Sequence, residues 1–292
     1  MSLTQIVAAF LAALLYRLLS AWLSRRNGQA EWGRIPFLFG TSVLVVYWLQ
    51  PSLPIRGLDY WLPTLTLGLT TICWAAVTPR EERGFRANAP ALLGLLGAAL
   101  LVALTGLINL PAGILTLAAP PIAQAFVGLF LLGLLIFISI RNRRTSTGKI
   151  LGVLVALFIL LKTPALASSI SAGLRALAGQ NTAGASALDI RWLGFSYLAF
   201  RLIHTVRDRQ SGRLPSATLA EFLIYAVFFP AFSSGPIDRL ERFLKDLRSP
   251  APLDSAETGE ALRRLIIGLF KKFAVSDTLA IIALNTQVAE QI

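Results

Sequence analysis

Histidine, cysteine and methionine each occur once in this chain of 292 residues. The one cysteine, Cys73, lies in an apolar run, which excludes a disulfide framework and a cysteine-ligated metal site. The one histidine, His204, leaves nothing from which to build a histidine metal cluster, and neither a phosphate-binding glycine loop nor a Gly-x-Ser-x-Gly elbow is present. Charge is scarce as well. Only 14% of residues are charged against 55% hydrophobic, with a mean hydropathy of +0.67, so too few polar side chains exist to cover a soluble domain. Acidic side chains are the rarer sign, 15 against 27 basic, giving a formal charge of +12. The basic residues are spread between apolar runs, which fits membrane loops lying against anionic headgroups and not a nucleic-acid surface. A basic segment ahead of the first apolar stretch is also missing, and that stretch is too long for a signal-peptide core, so it is expected to persist as a transmembrane helix.

What the chain does contain is apolar runs of membrane-spanning length, about 20 residues each. They predict spans near 4–23, 35–50, 59–78, 91–110, 121–140, 150–168 and 190–206, apolar on all faces and therefore in lipid. The fold class is all-α, a polytopic transmembrane protein. Basic residues alternate between the connections. Arg25, Arg26 and Arg34 follow the first span, Arg80, Arg83 and Arg86 the third, Arg141, Arg143, Arg144 and Lys149 the fifth, and Arg207, Arg209 and Arg213 the seventh. The positive-inside rule then puts the N-terminus and the loops 51–58, 111–120 and 171–189 outside, and 141–149, 207–217 and 236–260 in the cytoplasm. Trp48, Tyr60, Trp61 and Trp192 fall near span ends, where interfacial rings are expected.

Residues 218–232 conflict with this alternation, because a full crossing would carry Arg239, Arg242, Lys245 and Arg248 outside. The run is short, Glu221 stands near its start, and Pro230 lacks a backbone donor near its end. A re-entrant or broken segment resolves the conflict. Irregular backbone at membrane depth is tolerated only inside protein or along a watery cavity, so such a segment marks a site. The expected substrate-path corner is Phe229, Pro230, Ser234, Gly235, Pro236, Asp238 and Arg239. Beyond it, Leu240, Phe243, Leu244 and Leu247 recur at helical spacing, followed after Pro250 and Pro252 by a second amphipathic helix with Leu262, Leu265, Ile266, Leu269 and Phe273 on one stripe.

A polar stripe of Tyr197, Arg201, His204 and Asp208 runs along the seventh predicted span at intervals of four, three and four. Two readings stand side by side: the stripe faces the protein interior or a cavity, or its charged members snorkel to the interface. Arg17 and Lys162, flanked by leucines, read as snorkelling side chains.

FFPAFSSGPIDR, from Phe228 to Arg239, together with LGFSYLAF before it and LIIGLFKKFAVSDTLA after it, resembles the membrane-bound O-acyltransferase family. Within that family it is most similar to the branch that moves D-alanyl groups onto teichoic acids, and less so to the alginate-acetylating branch. The resemblance covers roughly 191–280 and implies a division into 1–189, about six N-terminal spans, and 190–292, the front part of an acyltransferase core. It further implies acyl transfer from a thioester on coenzyme A or an acyl carrier protein to a hydroxyl of a cell-envelope glycan or glycolipid, at a plasma membrane and without a cofactor. The family's catalytic histidine, in a Trp-His pair, is expected beyond Ile292, so no residue here is assigned to catalysis and this chain alone is expected to be inactive; three readings stay open, a fragment, one chain of a split enzyme whose second chain supplies the other half, or a non-catalytic remnant. An export subunit for a lipid-linked glycan, or a membrane scaffold without chemistry, are the alternatives from other functional classes.

Overall fold

The computed structural model describes residues 34–106, 119–142, 147–233, 235, 237–249 and 255–282. The expected first span with Arg17, Arg25 and Arg26, most of the loop 111–120, Arg143 and Arg144, and the residues Ser234, Pro236, Pro250 and Pro252 lie outside these. All regular structure among the described residues is helical. The chain forms two compact units, Met1–Lys245 and Asp246–Ile292.

In the first unit, α1 (Arg34–Leu49) precedes α2 (Leu58–Val77), which is enclosed along most of its length and forms the axis of the packing. Four buried threonines on α2 would strand hydroxyls in an apolar interior. Thr64, Thr66, Thr70 and Thr71 avoid this by donating to the carbonyls of Tyr60, Leu62, Thr66 and Leu67, one turn back, at 2.7–3.0 Å. Around this axis stand α3 (Phe85–Thr105), α4 (Ile122–Arg141), α5 (Thr147–Lys162), α6 (Pro164–Leu177), α7 (Phe195–Gln210) and the eight-residue α8 (Leu219–Ala226). α4 turns most of its surface outward, with Phe126, Phe130, Leu134 and Phe137 exposed, as a helix does whose surroundings are lipid. α9 (Leu240–Arg248) buries Leu240 and Leu244 and exposes Glu241, Arg242 and Lys245, so it is amphipathic as the spacing predicts. The second unit holds α10 (Ser255–Phe270), a π-helical turn at Lys271–Ser276 and α11 (Asp277–Ile282). Leu262, Leu265, Ile266 and Phe273 are exposed, and Glu260 pairs with Arg263 and Arg264.

Several predicted spans are corrected. By length and composition, three helices among the described residues can cross a membrane, α2, α3 and α4, or four if α5 and α6 count as one broken span. Those two helices bend by 92° where a straight span over 150–168 is expected. The cause is Pro164: it opens α6 at a position where its missing donor costs nothing, while its ring drives Thr163 to an extended backbone (φ −94°, ψ 110°). α3 begins at Phe85, six residues ahead of the expected 91, and α7 begins at Phe195 rather than 190. Residues 171–177, expected in an outside loop, complete α6. Tyr60, expected at headgroup level, is fully buried and donates to the carbonyl of Ala99 at 3.2 Å.

The loops sort onto two sides. Arg83 Nη1 donates to the carbonyls of Ile140 and Asn142, Ser216 Oγ donates to Glu82 Oε2, and Gln210 Nε2 donates to Thr147 Oγ1. The three basic connections after α2, α4 and α7 therefore meet at one end of the bundle. At the other end Gln50 bonds Arg191 and Leu193, and Gln180 bonds Pro54 and Arg56. These contacts group the loops as the charge alternation does.

Candidate functional site

A helix of eight residues buried in protein has a problem that longer spans do not: its unpaired terminal N–H and C=O groups sit where water cannot reach them. Every residue of α8 but Ala220 is buried, and the chain supplies partners at both of its ends. At the start, Thr218 and Glu221 form a reciprocal capping box. Glu221 N donates to Thr218 Oγ1 at 3.3 Å and Thr218 N donates to Glu221 Oε2 at 2.9 Å. Asn88 of α3 adds its Oδ1 as acceptor for Leu219 N at 2.9 Å, and Trp74 of α2 donates to the carbonyl of Ala217 at 2.9 Å. Glu221, the residue that makes the run a poor span, is thus the residue that makes a short helix possible.

At the other end stands Arg201, which is only 2% exposed. Its Nη1 donates to the carbonyl of Ala226 at 3.0 Å and its Nη2 to that of Ala231 at 2.7 Å. The planar fork reaches both the last turn of α8 and the 3₁₀ turn Phe229–Ala231 that follows it. Ala231 O also accepts from Gly235 N at 3.2 Å, which closes the corner. A Cβ on Gly235 would overlap the Cα and Cβ of Ala231 and lie 2.9 Å from its carbonyl oxygen, so the glycine is required by close approach. Gly194, at the start of α7, has φ +67°, and a Cβ there would come within 2.8 Å of the Phe232 ring and 2.9 Å of its carbonyl oxygen. Past Phe232 the chain turns back beside α8. Tyr225 donates its hydroxyl to the carbonyl of Asp238 at 2.9 Å, and the Phe243 ring stands edge-on to both Tyr225 and Phe228, at 5.5 and 5.2 Å.

The predicted residues divide. Phe229 and Gly235 belong to the clamped corner; Pro230 caps its outer surface and is exposed. Asp238 Oδ1 accepts from Arg239 N, and its Oδ2 lies 3.9 Å from Arg242 Nε, a contact open to solvent and worth little. The polar stripe separates by depth: Arg201 is interior, Tyr197 and Asp208 are half-buried, and His204 is exposed. Arg201 therefore does not snorkel, whereas Lys162, exposed in the last turn of α5, fits that reading. Tyr225, Phe232 and Gly194 are missing from the sequence-based corner, although Gly194 lies in LGFSYLAF and Tyr225 in the buried run itself. No group of three or more His, Cys, Asp or Glu side chains that could hold a metal ion occurs among the described residues.

A second polar cluster lies away from the corner. Asp189 Oδ2 accepts from Ser171 Oγ at 2.6 Å, from Arg175 Nε at 2.7 Å and from Ser186 N at 3.2 Å. The Arg175 guanidinium holds the Asp189 carboxyl down at about 2, assisted by the other two donors. This cluster ties α6 to the loop before α7.

Fold and corner together define a polytopic helical membrane protein organised around a buried, broken segment held by side chains. Its sequence is similar to enzymes named teichoic acid D-alanyltransferase: 39% identity over 84 residues with that of Lacticaseibacillus rhamnosus, 36% over 89 residues with that of Streptococcus thermophilus, and 35% over 91 residues with that of Bacillus subtilis. These matches take in 28–30% of this chain and 21–22% of the relatives, so the shared segment spans about a fifth of their length. No family model matches the chain, and no solved structure matches it.

Proposed function

We propose that this chain carries the front part of a membrane-bound O-acyltransferase, which moves an acyl group from a thioester on the cytoplasmic side to a hydroxyl of a cell-envelope glycan or glycolipid. The similarity to enzymes named for D-alanyl transfer to teichoic acid carries this reading and makes D-alanyl the first acyl group to test. In the reaction the acceptor oxygen bonds to the acyl carbon as the carbon–sulfur bond breaks, and the hydroxyl proton ends on the departing thiol. Water competes with the acceptor for the thioester, so the transfer benefits from a site inside the protein. The corner from Phe229 to Arg239 lines the path of the substrates in this proposal, with Arg201, Tyr225 and Gly235 as positioning residues that fix its backbone. His204, exposed on α7, is given no part in proton transfer. The basic end of the bundle faces the cytoplasm of the plasma membrane, where coenzyme A or an acyl carrier protein presents the donor, and the N-terminus lies outside.

The export alternative calls for a matching interrupted segment in the first half of the chain; the bend between α5 and α6, at Thr163 and Pro164, falls after it. That bend is a poor gate. α6 buries only Ala167 and Ser171 and is tied down through Arg175 and Asp189, whereas α8 is enclosed and clamped at both ends.

The test is incorporation of labelled D-alanine into envelope polymer by membranes carrying the protein from its native reading frame, supplied with a D-alanyl thioester. Gly235→Leu is expected to reduce incorporation more than tenfold while the protein remains inserted, because the overlap with Ala231 forces the corner open. Lys245→Glu, on the exposed side of α9, is expected to retain it. Near-normal incorporation by Gly235→Leu would remove the corner from the substrate path. Incorporation no greater than in membranes lacking the protein would remove the acyltransfer reading.

A further inference from the structure

We propose that the cavity between α2, α3 and α4 is a resident-lipid site, which holds an acyl chain of an anionic phospholipid along its apolar length and the lipid phosphate at Arg80 and Arg141. The proposal does not depend on the acyltransfer reading, since none of the residues that line the cavity belongs to the corner.

The cavity measures about 630 Å³ and is walled by side chains such as Leu67, Leu96, Leu132 and Ile136. Along α3 its lining runs from Phe85 to Ala99, fourteen positions, or about 21 Å at the rise of an α-helix. One leaflet contributes about 15 Å to the hydrocarbon thickness, so the cavity is long enough for an acyl chain and the linkage to its headgroup. At the deep end the polar atoms are already satisfied: the Tyr47 and Thr64 hydroxyls bond each other at 2.9 Å, and Thr64 also donates to the Tyr60 carbonyl. Ordered water needs several polar partners, and this end offers it few. Hydrocarbon fills such a space better than water does.

At the mouth the chemistry reverses, with Arg80, Arg83 and Arg141 in the lining. Arg83 is committed to the carbonyls of Thr78, Ile140 and Asn142 and holds the ends of α2 and α4 together. Arg80 and Arg141 are exposed, and among the described residues no carboxylate pairs with either. Of the two acids on the turn that carries Arg80, Glu82 accepts from Ser216 and Glu81 is exposed. A guanidinium matches a phosphate in two parallel bonds, and basic pockets between spans are where anionic headgroups bind. An anionic phospholipid satisfies both ends at once, which a free phosphate or an uncharged chain does not.

The experiment reconstitutes the protein in vesicles of equal phosphatidylglycerol and phosphatidylcholine, extracts it in mild detergent, and counts the lipids that remain bound by mass spectrometry. Wild type is expected to keep about one lipid, with phosphatidylglycerol favoured about fivefold for each of the two arginines. A Cβ at Gly133 meets no atom within 4 Å, so Gly133→Phe fills the cavity without displacing a helix and is expected to lose most of the retained lipid. Arg80→Gln with Arg141→Gln is expected to keep the lipid and lose the preference for phosphatidylglycerol. Helical content by circular dichroism confirms that each variant is folded, and Gly133→Leu serves if the phenylalanine variant is not. Undiminished phosphatidylglycerol in a folded Gly133 variant, or an unchanged preference in the double variant, would overturn the proposal.

Discussion

Arg201 shows how little a one-dimensional stripe reveals about single residues. Its spacing with Tyr197, His204 and Asp208 is legible, yet the four differ in depth, because a helix face is several residues wide and the neighbours of α7 cover only part of it. Arg201 is the member that reaches Ala226 O and Ala231 O. Arg201→Leu takes the donor from the buried Ala226 carbonyl, while Ala231 O keeps Gly235 N, and is expected to destabilise the protein by about 1–3 kcal/mol, seen as a lower melting temperature in detergent. Arg201→Lys is expected to recover only part of the loss, since an ammonium lacks the fork that spans both carbonyls. Asp189 provides a test by pH. Its carboxyl titrates at about 2 when folded, below the ordinary value of about 3.9, so the stability it contributes is complete above about pH 4 and is lost as the pH falls through about 2. In Asp189→Asn that portion of the acid sensitivity is expected to vanish, which paired thermal melts between pH 5 and 2 will measure.

At the scale of elements, the existence of helices is legible from apolar run length and their ends are not. α2 and α4 fall within one residue of the predicted spans, because each is a continuous apolar run bounded by basic or turn residues. The bend at Thr163 and Pro164 is written in the sequence as a residue forced out of the helical region by the proline after it, but mean apolarity over 150–168 conceals it. The start of α8 is similar. Thr218 and Glu221 carry the spacing of a capping box, which becomes informative only when the segment is recognised as a short buried helix rather than a failed span. Thr218→Ala is expected to cost about 1 kcal/mol and Thr218→Ser much less, with chemical denaturation in detergent as the measurement. No local pattern identifies Tyr225 or Gly194 as parts of the corner, since their partners, Asp238 and Phe232, are brought to them by the fold.

For the whole molecule, the central claim is that the chain enters the protein at Thr218, turns in the clamped corner and returns to the side from which it came. Basic loops after α2, α4 and α7 meet at one end of the bundle, and α8 starts from that end, where Asn88 and Trp74 meet it. Single cysteines at Arg213, before α8, and at Asp246, after the corner, test the return directly. They are introduced with Cys73→Ala and probed with a membrane-impermeant thiol reagent on intact cells and on inverted vesicles. Both positions are exposed, so both can react. The account requires Arg213→Cys and Asp246→Cys to label from the same face, the cytoplasmic one. Labelling of Asp246→Cys from the outside of intact cells, with Arg213→Cys labelled only from the inside, would show that the segment crosses the membrane and would contradict it.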